Sequence, residues 1–516
     1  MKMGNKYGGR TDLKVTSIDV CAGAYLLWGT LNMLFIAQLP IDNILFWKWC
    51  LVACVYILVR SIPRKEYILW LLVLAGIIQS AYAIGQHIGY IASNHRLFDV
   101  TGFMGNPGQL GGFQAVTFIV TFVLLKKNVH SRIAGCALLS LLLLIGYSMW
   151  LADSRAGGVA VLAGLIALYW LEIRQFLTRH KRLLWPIFVI VIGLGILVFN
   201  YRADSAKARL LIWRVSADMI ADKPVAGHGV GAFNQQYMLY QADYFERNPD
   251  SQFSMVADNT AHPYNEFLHI WIELGVVGLA LILSMATIAV AIPADKMMSA
   301  PLVALLVFSC FSYPSYKLGL LVLFPVLFGI ISSKSLFEVK YQRALGLLIL
   351  SFATTLFWSG SGYMSHRRAK DKAILLLHGR YDKDAADYVT THFNRLQPDY
   401  RFNTQYLIFM LNHPSMMDEA KFGRIMPACE NWCDIGNYYA NKGWYEHAEK
   451  YYKEAASMIP TRLMPNYLLW NLYLHQGRNN EAEKMALHIL NQPLKVENTF
   501  TIRAKNEVRI KLSEKF

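Results

Sequence analysis

The chain reads as an all-α, polytopic membrane protein of about 11–12 transmembrane helices with a C-terminal α-helical repeat domain. Three observations predict this. Of 516 residues, 55% are hydrophobic and only 16% are charged, with a mean hydropathy of +0.29. That balance excludes an ordinary soluble enzyme and a disordered chain. Apolar runs long enough to cross about 30 Å of hydrocarbon recur up to residue 363. Beyond it the composition turns soluble and a 34-residue repeat appears.

The apolar runs lie near residues 17–37, 43–61, 67–88, 108–125, 133–151, 156–173, 184–200, 265–292, 299–314, 317–333 and 343–363. The ninth and tenth are the weakest, because Pro314, Tyr316 and Lys317 interrupt them. Met1 to Lys14 does not read as a cleavable signal peptide, since full-length spans follow it. Basic residues gather at every second exit: Arg60, Arg64 and Lys65; Lys126, Lys127 and Arg132; Arg174, Arg179, Lys181 and Arg182; Lys296; Lys334, Lys340 and Arg343. The positive-inside rule therefore places the N-terminus in the cytoplasm and the odd exits outside. It also accounts for most of the net charge of +15, so no nucleic-acid partner is expected. An odd span count puts the C-terminal region outside as well. The expected domains are a transmembrane domain over 1–363, including an external loop over 201–262, and a soluble helical domain over 364–516.

In the second domain, Gly436, Tyr439, Gly443, Ala448, Tyr452, Ala455 and Pro460 carry tetratricopeptide-like spacing. Tyr439 and Tyr473, Gly443 and Gly477, and Ala448 and Ala482 share the 34-residue offset. The pattern is clearest over 430–493, and Leu377–Tyr381 with Ala385 and Ala386 suggests a degenerate earlier unit. Stacked antiparallel helix pairs of this kind offer a surface for docking a peptide or protein. Five cysteines lie in apolar segments and read as small core residues. Cys429 and Cys433 are spaced i, i+4, which suits neither a closed zinc site nor an easy disulfide. No zinc, EF-hand or serine-hydrolase spacing stands out, and no metal or cofactor is expected. Gly227, Gly229 and Gly231 lack the strand–turn–helix context of a nucleotide loop.

Four polar patches stand at predicted external boundaries. They are Thr101 to Gly112 with Asn106-Pro107, Asp153-Ser154-Arg155-Ala156-Gly157-Gly158, Arg209 to Arg214 running into Pro224 to Phe233, and Ala261 to Gly275. Polar groups at a membrane boundary cost free energy unless paired or hydrated, so they point to function. Asn265 is expected to orient the site or cap the eighth span. Glu273, two turns further on, is expected to hold a partner such as an arginine.

Together the four patches resemble the O-antigen ligase superfamily, which comprises O-antigen ligases, O-antigen polymerases and bacterial protein O-oligosaccharyltransferases. The likeness runs over roughly residues 95–285. It rests on the Asn-Pro patch, the Ser-Arg-Ala-Gly patch, the Arg-x-x-x-Trp patch and the Asn265-x-x-Leu268 patch ending in Glu273-x-Gly275-x-x-Gly278. Tyr264 stands where the family pattern carries a histidine, and Gly108 where it often has a second asparagine. The resemblance implies a GT-C-like, metal-independent glycosyltransferase of the bacterial inner membrane. It would move a preassembled oligosaccharide from undecaprenyl diphosphate to a hydroxyl at the periplasmic face. The diphosphate leaving group implied in this way suits an arginine fork, which donates two hydrogen bonds and stays charged. On that resemblance Arg155 is the first choice, Arg209, at the Arg position of the Arg-x-x-x-Trp patch, the second and Arg214 the third. The resemblance also implies a hydroxyl acceptor whose proton an imidazole near neutral pKa suits, and His262 is the imidazole nearest the family's histidine position. The acceptor would be a protein or lipid A-core, with a polymerase acting on a growing glycan as an alternative. His262 would be catalytic, and Asn106, Arg155, Arg209, Arg214, Tyr264, Asn265 and Glu273 would bind substrate. A transporter or a non-catalytic membrane scaffold with a repeat domain is the alternative of another class. Transporters tend to show symmetry between halves and midplane charges, and neither is seen here.

Overall fold

The computed structural model describes residues 13–39, 44–95, 97–128, 130–201, 203–293, 295–331, 335–339, 383–393, 400–413 and 419–514, besides 368, 371 and 372. It is almost entirely helical. Strand β1 (Leu13–Thr16) leads into α1 (Ser17–Leu31), α2 (Ile44–Ser61), α3 (Glu66–His87), α4 (Pro107–Lys127), α5 (Arg132–Leu151), α6 (Arg155–Leu168), α7 (Trp170–Arg179) and α8 (Leu184–Tyr201). Helices α9 (Ala203–Asp222) and α10 (Ala232–Arg247) fill the long loop. Then come α11 (Glu266–Ala291), α12 (Lys296–Ser309), α13 (Leu318–Leu321), α14 (Leu323–Ile330) and β2 (Ser335–Val339), which pairs antiparallel with β1. The C-terminal region supplies α15 (Lys383–Thr391), α16 (Tyr400–Asn412), α17 (Cys429–Asn441), α18 (Tyr445–Met458), α19 (Leu463–His475), α20 (Asn479–Asn491) and α21 (Thr499–Ser513).

By contact the chain forms two units: residues 1–32, 45–201 and 264–360, and residues 33–44, 202–263 and 361–516. Among the described residues of the chain, six helices are long and apolar enough to cross a membrane. A seventh is added if α6 and α7, bent by 75°, make one span. Helices α12 and α13–α14 are shorter apolar pieces, at the two runs that Pro314, Tyr316 and Lys317 had marked as weak. The run at 343–363 lies outside the described residues. The chain is a multi-pass membrane protein.

In the first unit α4 is the central helix, with 78% of its apolar window buried against 17% for α2 and 22% for α5. Glycines make the close packing around it. A Cβ on Gly112 would fall 2.2 Å from the Phe308 ring of α12, and one on Gly76 of α3 would meet Thr117 at 2.8 Å. The outward faces carry Leu27, Leu71, Leu74, Ile133, Leu143 and Trp150, as hydrocarbon requires.

A break in α11 shows the same constraint at the backbone. Gly275 has φ 68° and ψ −173°, a conformation open to glycine. The turn above it would leave carbonyls unpaired in an apolar setting. Side chains of the first span answer this: Trp28 Nε1 donates to the Leu274 carbonyl (2.8 Å), and Asn32 Nδ2 donates to that of Glu273 (3.2 Å).

In the second unit, α17 and α18 are followed at a 34-residue offset by α19 and α20. Gly436 lets the pair close, since a Cβ there would lie 2.4 Å from the Tyr452 ring. Gly443 (φ 77°) and Gly477 (φ 70°) turn the chain at equivalent points. Cys429 and Cys433 are buried free thiols. The long loop docks on these helices. Gln241 of α10 donates to the Met458 carbonyl (2.7 Å), Asn259 accepts from the Cys429 amide (3.2 Å), and Asp258 meets Lys495 at 3.0 Å and Arg462 at 3.3 Å. Burial would raise the Asp258 carboxyl, but Lys495 and Arg462 outweigh it and hold the group below its ordinary range. Residues 377–381 lie outside the described residues.

Candidate functional site

Three of the four sequence patches share one local construction, all in the first unit. Each enters a helix through a left-handed residue followed by a capping side chain. Gly105 (φ 64°) precedes Asn106, Asp153 (φ 45°) precedes Ser154, and Tyr264 (φ 52°) precedes Asn265. Asn106 Oδ1 accepts from the amides of Gly108 (2.9 Å) and Gln109 (3.3 Å) at the start of α4. Ser154 Oγ accepts from Gly157 (3.2 Å) at the start of α6. Asn265 Oδ1 accepts from Phe267 (3.0 Å) and Leu268 (3.1 Å) at the start of α11. Capping satisfies otherwise orphaned amides, so these residue types at these positions have a direct physical cause. A left-handed bulky residue such as Tyr264 is costly and often marks a functional site.

The three helix starts are tied together. Ser154 Oγ also donates to the Gly108 carbonyl (3.3 Å), and a Cβ on Gly111 would fall 2.2 Å from the Ser154 Cβ. A Cβ on Gly157 would lie 2.7 Å from the Gly111 carbonyl oxygen, so α4 and α6 meet backbone to backbone. Gln109 Nε2 donates to Ser312 Oγ (3.1 Å) in the turn after α12. That turn reaches α11: the Ser315 amide donates to Glu266 Oε2 (3.3 Å), and the Tyr313 ring meets Tyr264 edge-on at 5.1 Å. On this rim Arg155 is the first residue of α6 and is half-buried. A cation there opposes the helix dipole, and a bound anion would reverse that penalty.

The sequence reading missed a buried group at the head of α11. His269 Nδ1 lies 3.4 Å from Glu266 Oε1, and its Nε2 lies 3.1 Å from Glu273 Oε1. The Tyr316 ring lies 5.2 Å from the imidazole, tilted by 35°. Glu273, expected to hold a partner such as an arginine, has a histidine of its own helix among its partners. The signal was present: Glu266-x-x-His269-x-x-x-Glu273 places all three on one helical face. Gln109, Ser154, Ser312, Ser315 and Tyr316 were missed because they converge through tertiary contact.

The other predicted residues belong to the second unit. Arg209 and Trp213 stand i, i+4 on α9, and Trp213 Nε1 donates to the Pro263 carbonyl (3.0 Å). The Arg-x-x-x-Trp patch is thereby fastened to the residue after His262. Arg209 and His262 are half-buried, whereas Arg214 is exposed. In the glycine-rich stretch, His228 Nε2 donates to the Met219 carbonyl (2.7 Å) near the end of α9. Gly227, Gly229 and Gly231 all have positive φ, so their spacing serves a tight turn.

Residues 139–283 match the family model described as O-antigen ligase, a stretch that holds the Ser-Arg, Arg-x-x-x-Trp and His262–Glu273 patches. Relatives named “Putative polysaccharide ligase” are found in Rickettsia. That of R. bellii is 24% identical over 295 residues, covering 49% of this chain and 67% of the relative. That of R. felis is 25% identical over 285 residues, covering 48% and 67%. In R. typhi the identity is 30% over 172 residues, covering 32% and 41%. Over this part of its length the chain is similar to the O-antigen ligase superfamily.

Proposed function

We propose that the protein transfers a preassembled oligosaccharide from undecaprenyl diphosphate to a hydroxyl acceptor at the periplasmic face of the inner membrane. The observation that carries this reading is the joining of the α4, α6 and α11 starts with Arg155 on the rim. Helix N-termini and a guanidinium are the groups that bind a diphosphate and stabilise it as it leaves. Arg209, with Arg214 as a further cation, adds to diphosphate binding. His262 takes the proton of the attacking hydroxyl. Asn106 and Asn265 hold the two caps, Tyr264 lines the acceptor side, and Glu273 fixes the head of α11. The reaction needs no metal.

The acceptor we favour is a protein. Support comes from the helix pairs repeating at 34 residues, a construction suited to docking a polypeptide. The transferase part would comprise 1–363 and the docking part 364–516, with the N-terminus cytoplasmic and the C-terminal region periplasmic. Lipid A-core ligation shares the chemistry and differs only in the hydroxyl that attacks.

The test is transfer by the full-length protein in nanodiscs, with an undecaprenyl-diphosphate-linked oligosaccharide and separate protein, lipid A-core and glycan acceptors. Arg155→Ala should lower transfer at least about 100-fold while leaving a folded protein. Intact donor with every acceptor would overturn the reading, and an active His262→Ala would remove that histidine as the base.

A further inference from the structure

Two buried polar atoms on the rim have no partner among the described residues: Gln109 Oε1 and Ser315 Oγ. Gln109 is 1% exposed and sits in the first turn of α4. Its side chain is held in place by the hydrogen bond between its amide and Ser312 Oγ. The Ser315 backbone amide donates to Glu266 Oε2 (3.3 Å), which places the residue beside the head of α11. A buried acceptor left without a donor costs about 1–3 kcal/mol, so native structures seldom keep one without a use.

The surroundings say what would satisfy them. Gly108 and Gly111, on either side of Gln109, carry the contacts to Ser154 and thus to the Arg155 helix start. The arginine at the α6 start and the joined helix starts suit phosphate. The adjoining position offers an amide oxygen that only accepts and a hydroxyl that accepts or donates. A ligand with an anionic group next to an O–H or N–H donor fits both, and a sugar diphosphate has that sequence of groups.

We propose that Gln109 and Ser315 form a specificity subsite for the first sugar of the donor, hydrogen-bonding a hydroxyl or acetamido N–H beside the diphosphate. This rests on the transferase reading above. A site built to bond such a group rejects an analogue that lacks it, because the buried protein atoms are then left unpaired.

The experiment uses the full-length protein in nanodiscs and synthetic undecaprenyl-diphosphate sugars, each lacking one hydroxyl or the acetamido group. For the wild type, at least one analogue should show kcat/KM lowered about 100-fold or more against the parent. In Gln109→Leu that ratio should fall toward one, whatever Tm change follows from losing the bond to Ser312. Ser315→Ala, a smaller change, should lower the same ratio and serves if the first variant does not fold. Equal use of every analogue by the wild type would mean that water alone fills the subsite and would overturn the proposal. An unchanged ratio in both variants would do the same. A wild type that uses neither parent nor analogue would instead overturn the transferase reading beneath it.

Discussion

The two units each contain an arginine, a carboxylate and a tyrosine in one hydrogen-bonded cluster, set in different surroundings. In the membrane unit Asp19 accepts from Arg60 Nε (2.7 Å) and Nη2 (2.9 Å), from Tyr56 (2.7 Å) and from the Thr16 amide and hydroxyl (2.7 Å each). In the second unit Glu449 accepts from Arg478 (2.6 Å) and Tyr473 (2.9 Å) and meets Lys453 at 2.7 Å. The side chains of Arg60 and Asp19 are 9% and 17% exposed, while Arg478 is 35% exposed. The donors are alike and the carboxylates are buried alike, Glu449 being 16% exposed, but only in the first cluster is the arginine shielded from water as well. Its worth lies in the penalty for breaking it, whereas the second contributes a modest, pH-dependent attraction.

The largest effect should follow from separating the first pair. Arg60→Met leaves a carboxylate among α1 and α2 with its charge uncompensated, at a cost of about 3 kcal/mol or more. The double variant Asp19→Asn with Arg60→Met should recover most of that loss in thermal unfolding in detergent. Failure to recover would show that Arg60 acts through packing. Next comes His269→Ala, which strips the imidazole from between Glu266 and Glu273 and should destabilise by about 2 kcal/mol. Glu273→Gln in the same background should partly restore Tm if the carboxylates are the cause.

The same contrast governs what the sequence made legible. Spans over 17–37, 67–88 and 108–125 were readable because a membrane helix satisfies its backbone within one continuous apolar run. The bend between α6 and α7 was not, since 156–173 reads as one run and the 75° turn at Tyr169 depends on packing. Asn106 and Asn265 were visible as cap types, yet only contact shows that α4, α6 and α11 start side by side. Gln109 looked like a polar residue inside an apolar helix, and nothing local reveals which of its two amide atoms finds a partner. In the second unit the 34-residue offset predicted the helix pairs, because each repeat packs mainly on its neighbours.

A smaller effect tests packing in the second unit without touching charge. Gly436→Leu drives a side chain into the Tyr452 ring, where even a Cβ would lie at 2.4 Å. The cost should be about 2 kcal/mol. It should appear as faster hydrogen exchange in α17 and α18, with the membrane helices unchanged.

The smallest effect is the titration of Glu449. Its partial burial alone would raise the carboxyl, but hydrogen bonds from Arg478, Lys453 and Tyr473 outweigh that and bring the pKa down to about 2. A carboxyl whose folded pKa is depressed stabilises the fold above its unfolded value and loses that contribution as pH falls through the folded value. Stability from this cluster should therefore be complete at neutral pH and drain away from about pH 4.5 to pH 2. Hydrogen exchange of α18 and α19 should accelerate across that window, and Glu449→Gln should flatten the dependence while lowering protection at pH 7 only slightly. Salt should mimic the acid effect here, because Arg478 remains open to solvent and screening reaches the pair. It should leave the Asp19–Arg60 pair almost untouched. Equal salt sensitivity in both units would show that water reaches the membrane cluster, and the distinction drawn from their burial would fall.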